Sequence, residues 1–230
     1  MSAFSSAAYW EARYRANGAS GAGSLGRLAR FKAGVINRFV ADNQVRSAID
    51  LGCGDGSQLG LLDLPAGYVG VDASPAALAV CAARCPGRRL VGTEAVATLA
   101  PAEMTLSLDV LYHLTEEAVF AGVLAALFGL AQRFVLIYSS NVEVGFTAPH
   151  VRHRRFTDAV AATQPDWRLV AHLPNPYPFD PGAPDETSFA DFFVYARGGG
   201  GCAIAVPGGD GNESPCAPAM GIAHSASRTR

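Results

Sequence analysis

Asp50-Leu51-Gly52-Cys53-Gly54-Asp55-Gly56 is the stretch on which the reading of this chain turns. It follows the apolar run 46–51 (RSAIDL), which has the length and content of a buried strand, and its glycines mark where that strand gives way to a turn and a helix. Glycine suits such a place because the turn can take up positive φ and a ligand can approach the backbone without meeting a Cβ. In doubly wound sheets, nucleotides bind at this point, outside the carboxyl ends of the central strands. A purely structural reading uses the same residues as a tight turn with Asp55 as its cap.

Outward from the loop, strand-like runs alternate with helical segments over 45–197, the pattern of a parallel α/β sheet. Strands are expected at 46–51, 68–72, 88–92, 104–109, 133–139, 167–173 and 189–196. Ser74 and Pro75 start a helix that Pro86-Gly87 ends. The spacing Phe156, Ala159, Val160, Thr163 turns one face of a short helix to a core. The uncharged stretch Ala118–Ala131 is too short to span a bilayer, which takes about 20 residues, and reads as a buried helix. Tyr9–Tyr14 and Gly26–Val40 look helical, joined by a glycine-rich segment. A proline-rich connection over 174–184 is too short for a crossover helix, so the last two strands are expected to form an antiparallel hairpin.

These patterns divide the chain into an N-terminal helical lid or substrate segment (1–44), a ligand-binding domain (45–197) and a Gly/Pro/Ala/Ser-rich tail (198–230) expected to be disordered. Half of the 230 residues are hydrophobic, enough for the core of one domain. A net charge of -2 supplies no global field for nucleic acid or an anionic membrane, and neither partner is expected. Five cysteines without a C-x-x-C pair do not make a disulfide framework. With no basic start followed by an apolar run at the N-terminus, they point to a reducing cytoplasm. Cys81 and Cys85 read as ordinary helix residues rather than a metal or redox pair.

A dinucleotide would need G-x-G-x-x-G to rest its pyrophosphate on a helix N-terminus. Here Ser57 or Leu59 stands at the third glycine, depending on the register. Asp50 and Asp55 would sit poorly beside a pyrophosphate, but they suit a ligand bearing an ammonium and a sulfonium. S-adenosylmethionine carries both. Asp72 ends the second strand, where its carboxylate could accept from two ribose hydroxyls.

At these residues the chain resembles the class I S-adenosylmethionine-dependent methyltransferases, over roughly 45–197. The likeness rests on Asp50–Gly56, on Asp72, and on Ser107-Leu108-Asp109-Val110-Leu111-Tyr112-His113-Leu114. A bacterial methyltransferase-like group is resembled more closely, through Tyr9-Trp10-Glu11-x-Arg13-Tyr14, Ser20–Ser24 and Val151–Asp158. The resemblance implies a Rossmann-like three-layer αβα sandwich with a seven-stranded, mostly parallel sheet and one antiparallel edge strand. It implies S-adenosylmethionine as cofactor, held by Asp50, Gly52, Cys53, Gly54, Gly56 and Gln58. Asp72, Ala73 and Ser74 would follow from the second strand, Leu108 and Asp109 from the fourth. No clear acidic adenine motif follows the third strand, and Thr93 or Glu94 is expected to substitute.

For the chemistry, Asp109, Tyr112 and His113 lie nearest the crevice in chain order. His113 can serve as general base, or be a histidine hydrogen-bonded for packing. His150-Val151-Arg152-His153-Arg154-Arg155 precedes a helix, so His153 and Arg154 are candidates for an anion site on the acceptor; a solvated charged loop is the alternative. No carboxylate at ligand spacing accompanies these histidines, and no metal is expected. Tyr9, Trp10 and Tyr14 either close over the acceptor or pack one helix face. The function expected is methyl transfer to a small molecule, with oxygen favoured as the methylated atom because a base is at hand. A nucleotide-dependent oxidoreductase and a non-catalytic binding protein are the alternatives.

Overall fold

The computed structural model describes residues 4–16 and 18–198. The expected disordered tail, from 199 onward, lies outside them. The sheet is built from β1 (Ser47–Leu51), β2 (Gly67–Asp72), β3 (Arg89–Gly92), β4 (Ala102–Leu108), β5 (Ala131–Ser139), β8 (Trp167–Leu173) and β9 (Asp191–Arg197). Its order is β3-β2-β1-β4-β5-β9-β8, so the winding reverses between β1 and β4. The first five strands in that order run parallel, and β9 runs antiparallel to both β5 and β8, completing the sheet with an edge hairpin. Every expected strand is present within about two residues.

Period-two alternation divides the side chains between two faces. Ala48, Met104, Leu106, Leu136 and Val194 meet α2 (Gly26–Asp42) and α3 (Pro75–Arg84) on one side. Ile49, Leu51, Val135, Ile137 and Phe193 meet α4 (Glu117–Gly129) and α5 (Phe156–Thr163) on the other. Edge-to-face ring pairs stitch the layers: Phe39–Phe134 at 5.1 Å and Phe156–Phe193 at 5.0 Å. α2 is therefore one layer of the sandwich, and α1 (Ser6–Arg15) is the helix that precedes it.

Two local expectations are corrected. No α-helix follows the glycine loop: a single 3-10 turn, Leu59–Leu61, takes its place. Pro65 disfavours helical backbone at its predecessor, and Leu59, Leu62 and Leu64 bury themselves in the core without a helix. The basic stretch is not a free loop either, because β6 (Gly145–Ala148) and β7 (Val151–His153) pair as an antiparallel hairpin that carries most of it.

Candidate functional site

Where the winding reverses, a cavity of about 490 Å³ opens beyond the carboxyl ends of β1, β2 and β4. Its size suits a small-molecule site. The glycine loop forms the floor. Gly52 has φ +94°, and a Cβ there would lie 2.3 Å from Val110 Cγ2. Gly54 has φ +59°, and its Cβ would meet the Ser20 hydroxyl at 2.6 Å. Both positions demand glycine for conformation and for close approach, but the neighbours that crowd them belong to the protein itself.

The three acids of this region have different fates. Asp50, 4% exposed, accepts from the Tyr68 hydroxyl at 3.1 Å through Oδ2, while its buried Oδ1 has no hydrogen-bond partner. Burial pushes its carboxyl up to about 7, against the opposing hydrogen bond from Tyr68. Asp72 accepts the Gly54 and Ser74 N–H groups, each at 2.9 Å, and burial again raises its carboxyl. Both line the cavity. Asp55 does not, contrary to expectation. Burial raises its carboxyl, but the Ser57 N–H, the Ser20 hydroxyl and Arg84, paired at 2.7 Å, outweigh that and hold it below the usual range.

Cys53, Gln58, Ala73, Leu108 and Asp109 reach the cavity as expected. The Cys53 thiol, raised by a hydrogen bond with Cys81 and by burial, stays protonated and presents apolar surface. Gly56 packs on Cys81 instead, and Ser74 caps α3 by accepting the Ala77 N–H at 3.0 Å. Glu94 is exposed, with its carboxylate folded against Gly92, so Thr93 and Val96 form that wall. Opposite them α4 presents Val119, Gly122, Val123 and Ala126. That uncharged helix was expected to be buried, and one of its faces instead makes an apolar slot.

No family model matches the chain, and no curated protein does. Among solved structures it is similar to the N-methyltransferase NodS from Bradyrhizobium japonicum WM9 in complex with S-adenosylhomocysteine: TM-score 0.66, 11% identity, covering 84% of this chain and 98% of that one. It is also similar to magnesium protoporphyrin IX methyltransferase from Synechocystis PCC 6803 with bound S-adenosylmethionine: TM-score 0.58, 16% identity, 86% and 99% covered. A third is mitomycin 7-O-methyltransferase: TM-score 0.53, 14% identity, 75% and 55% covered. The chain has the class I methyltransferase fold.

On this methyltransferase fold, α1 lies across the cavity mouth and is tied at both sides. The Ser6 N–H donates to Glu116 at 2.8 Å, and the Ser6 hydroxyl makes a short bond to the same carboxylate. Five residues on, Glu11 accepts from the Ser74 hydroxyl at 2.7 Å and from the Ala76 N–H at 3.1 Å. Ala7, Trp10 and Tyr14 then face the cavity, so one face of α1 both packs and lines it.

His113 also lines the cavity. Its Nδ1 lies 3.0 Å from the His150 carbonyl, to which it must donate, leaving the lone pair on Nε2. Trp10 packs edge-on at 4.8 Å, and burial drops the imidazole to about 4. The other chemical candidates do not line the cavity. Tyr112 is buried off the cavity and donates to Asp109 at 2.8 Å. His153 uses both ring nitrogens, on Ser140 at 2.8 Å and Thr147 at 3.2 Å. Arg154 is buried, donating to the Leu114 and Thr115 carbonyls and pairing with Glu117 at 3.3 Å, while Arg152 pairs with Glu117 at 2.8 Å. The expected anion site is thus consumed by internal partners.

Sequence reasoning passed over Lys32. It lies on the buried face of α2, 1% exposed, with Nζ 2.5 Å from Asp109 Oδ2 and over the Tyr138 ring at 5.2 Å. Asp109 itself takes φ +60°, a conformation that costs most residues about 1 kcal/mol or more. The signal was available in composition: Lys32 is the one lysine among 18 Lys and Arg residues.

Proposed function

We propose that this protein binds S-adenosylmethionine in the cavity under α1 and transfers its methyl group to a small-molecule acceptor. The observation that carries the reading is Asp50 Oδ1, a buried carboxylate oxygen at the cavity without a donor. An unmet acceptor of this kind costs roughly 1–3 kcal/mol and calls for a ligand cation. Asp72, at the end of β2, supports ribose recognition, and the apolar lining by Val96, Val119 and Val123 supports a place for a planar base. When bound, S-adenosylmethionine supplies an activated methyl group on a sulfonium. The chain's part is to orient that group, exclude water with α1 and accept a proton from the acceptor. His113 lines the cavity with its Nε2 lone pair available and supports O-methylation as the favoured outcome, although burial makes it a weaker base than a free imidazole. No anionic acceptor is required, since Arg152 and Arg154 are already paired.

Titration calorimetry with S-adenosylmethionine and S-adenosylhomocysteine tests the cofactor assignment, and no binding at high micromolar concentration overturns it. Affinity is also expected to depend on pH. A cationic ligand binds ionised Asp50 and lowers a carboxyl that sits near 7 in the free protein, so binding releases a proton below pH 7. Affinity should rise up to about tenfold per pH unit toward pH 7 and level off above it. A flat profile over pH 5.5–8 removes Asp50 as the cation's partner.

His113→Ala is expected to lower kcat by roughly 10²–10⁴ for an acceptor found by screening, with cofactor affinity unchanged. Loss of cofactor binding in this variant would assign His113 to packing instead.

A further inference from the structure

Lys32 has no structural reason to be the chain's one lysine. A buried ion pair is no more stabilising than well-packed apolar residues of the same volume. Elsewhere the chain carries its positive charge on arginine. A compact ammonium differs from a guanidinium in being a point charge with three rotatable donors, able to turn from one carboxylate to another without a fixed fork geometry. Lys32 is the only Lys or Arg that lines the cavity among the described residues. It lines the cavity together with Asp50, Asp72 and Asp109, three carboxyls against one ammonium. The Lys32 charge also acts on Asp50, opposing the rise that burial imposes there.

Resting on the cofactor reading above, we propose that Lys32 is the counter-ion for the carboxylate of the bound ligand, and that Asp109 competes for it and so tunes the affinity. An α-amino acid places its ammonium and carboxylate on one carbon. A site that meets the ammonium with Asp50 therefore has the carboxylate close by, and Lys32 is the cation that lines the cavity among the described residues. Asp109 accepts from Tyr112 at 2.8 Å and lies close against Gly23, where a Cβ would come within 2.8 Å of Oδ2. The competing carboxylate thus has a second partner in Tyr112, while Lys32 carries rotatable donors on a flexible four-carbon stem.

The test is calorimetry with two probes, S-adenosylmethionine and its decarboxylated analogue, which keeps the ammonium and sulfonium. The parent is expected to prefer the carboxylated ligand by about 10- to 100-fold, the range for a charge-assisted hydrogen bond. Lys32→Met should bring that ratio close to one. Asp109→Asn tolerates the left-handed backbone, removes the competing charge and should raise the ratio several-fold. The ratio cancels general damage to the pocket, and if Lys32→Met fails to fold, Asp109→Asn alone decides. A parent without preference, a Lys32→Met that keeps it, or an Asp109→Asn that leaves the ratio unchanged or lowers it overturns the proposal. A parent that binds neither probe overturns the cofactor reading, and this proposal with it.

Discussion

Asp50→Asn is expected to melt at a higher temperature than the parent at pH 8 and to bind S-adenosylmethionine about 100-fold more weakly. Burial holds the Asp50 carboxyl near 7, far above its value in an unfolded chain. The direction follows from proton counting. Between the two values the folded state binds more protons, so the stability present below about pH 4 is lost as pH rises through 7. By pH 8 the ionised group costs about 2–4 kcal/mol, at about 1.4 kcal/mol for each tenfold change in proton affinity between the unfolded and folded chain. An asparagine removes that cost, can still accept from Tyr68, and should raise the midpoint by roughly 5–15 °C. The same change deletes the partner of a ligand cation, a loss of about 2–5 kcal/mol in binding. Thermal melts at pH 4 and pH 8 check the first half. Parent and variant should converge at pH 4, and an equal gap at both values would detach the effect from ionisation.

Gly52→Ala should destabilise the fold by about 2–5 kcal/mol and abolish cofactor binding. Two costs combine: roughly 1–2 kcal/mol for forcing an L-residue to positive φ, and about 1–3 kcal/mol for crowding a packed contact. The first follows from φ +94°, the second from the 2.3 Å approach to Val110 Cγ2. Adding Val110→Ala should return only the crowding share, visible as a partial recovery of the denaturation midpoint. Full recovery would show that the backbone conformation carries no strain. Neither variant should bind, because the loop that Gly52 shapes also positions Gly54, whose N–H holds Asp72.

Much of the fold was legible because its determinants are local. Central parallel strands are buried on both faces, so Ser47–Leu51 and Phe134–Ser139 stand out as apolar runs whatever surrounds them. Ser74 and Pro75 announced α3 for the same reason, since a cap acts within one turn. Where the local signal was short, the reading failed. The β6–β7 hairpin has strands of four and three residues, too few for alternation to register.

The glycine loop, Asp50 and Asp72 could be read as a site from spacing along one strand–turn–strand unit. Which acids stay available could not. Asp55 is consumed by Arg84 and Ser20, and Arg152 and Arg154 of the basic stretch by Glu117 and by carbonyls about 40 positions earlier. Lys32 meets Asp109 across 77 residues, and nothing near either one in the chain announces it. The sequence alone determined the order of the main-sheet strands and of the helices that pack on them, and pointed to the place where a ligand can enter, because periodicity, capping and turn chemistry act over a few residues. Tertiary structure decided which charges remain free to meet that ligand, because an ion pair depends on distance in space and is blind to separation along the chain.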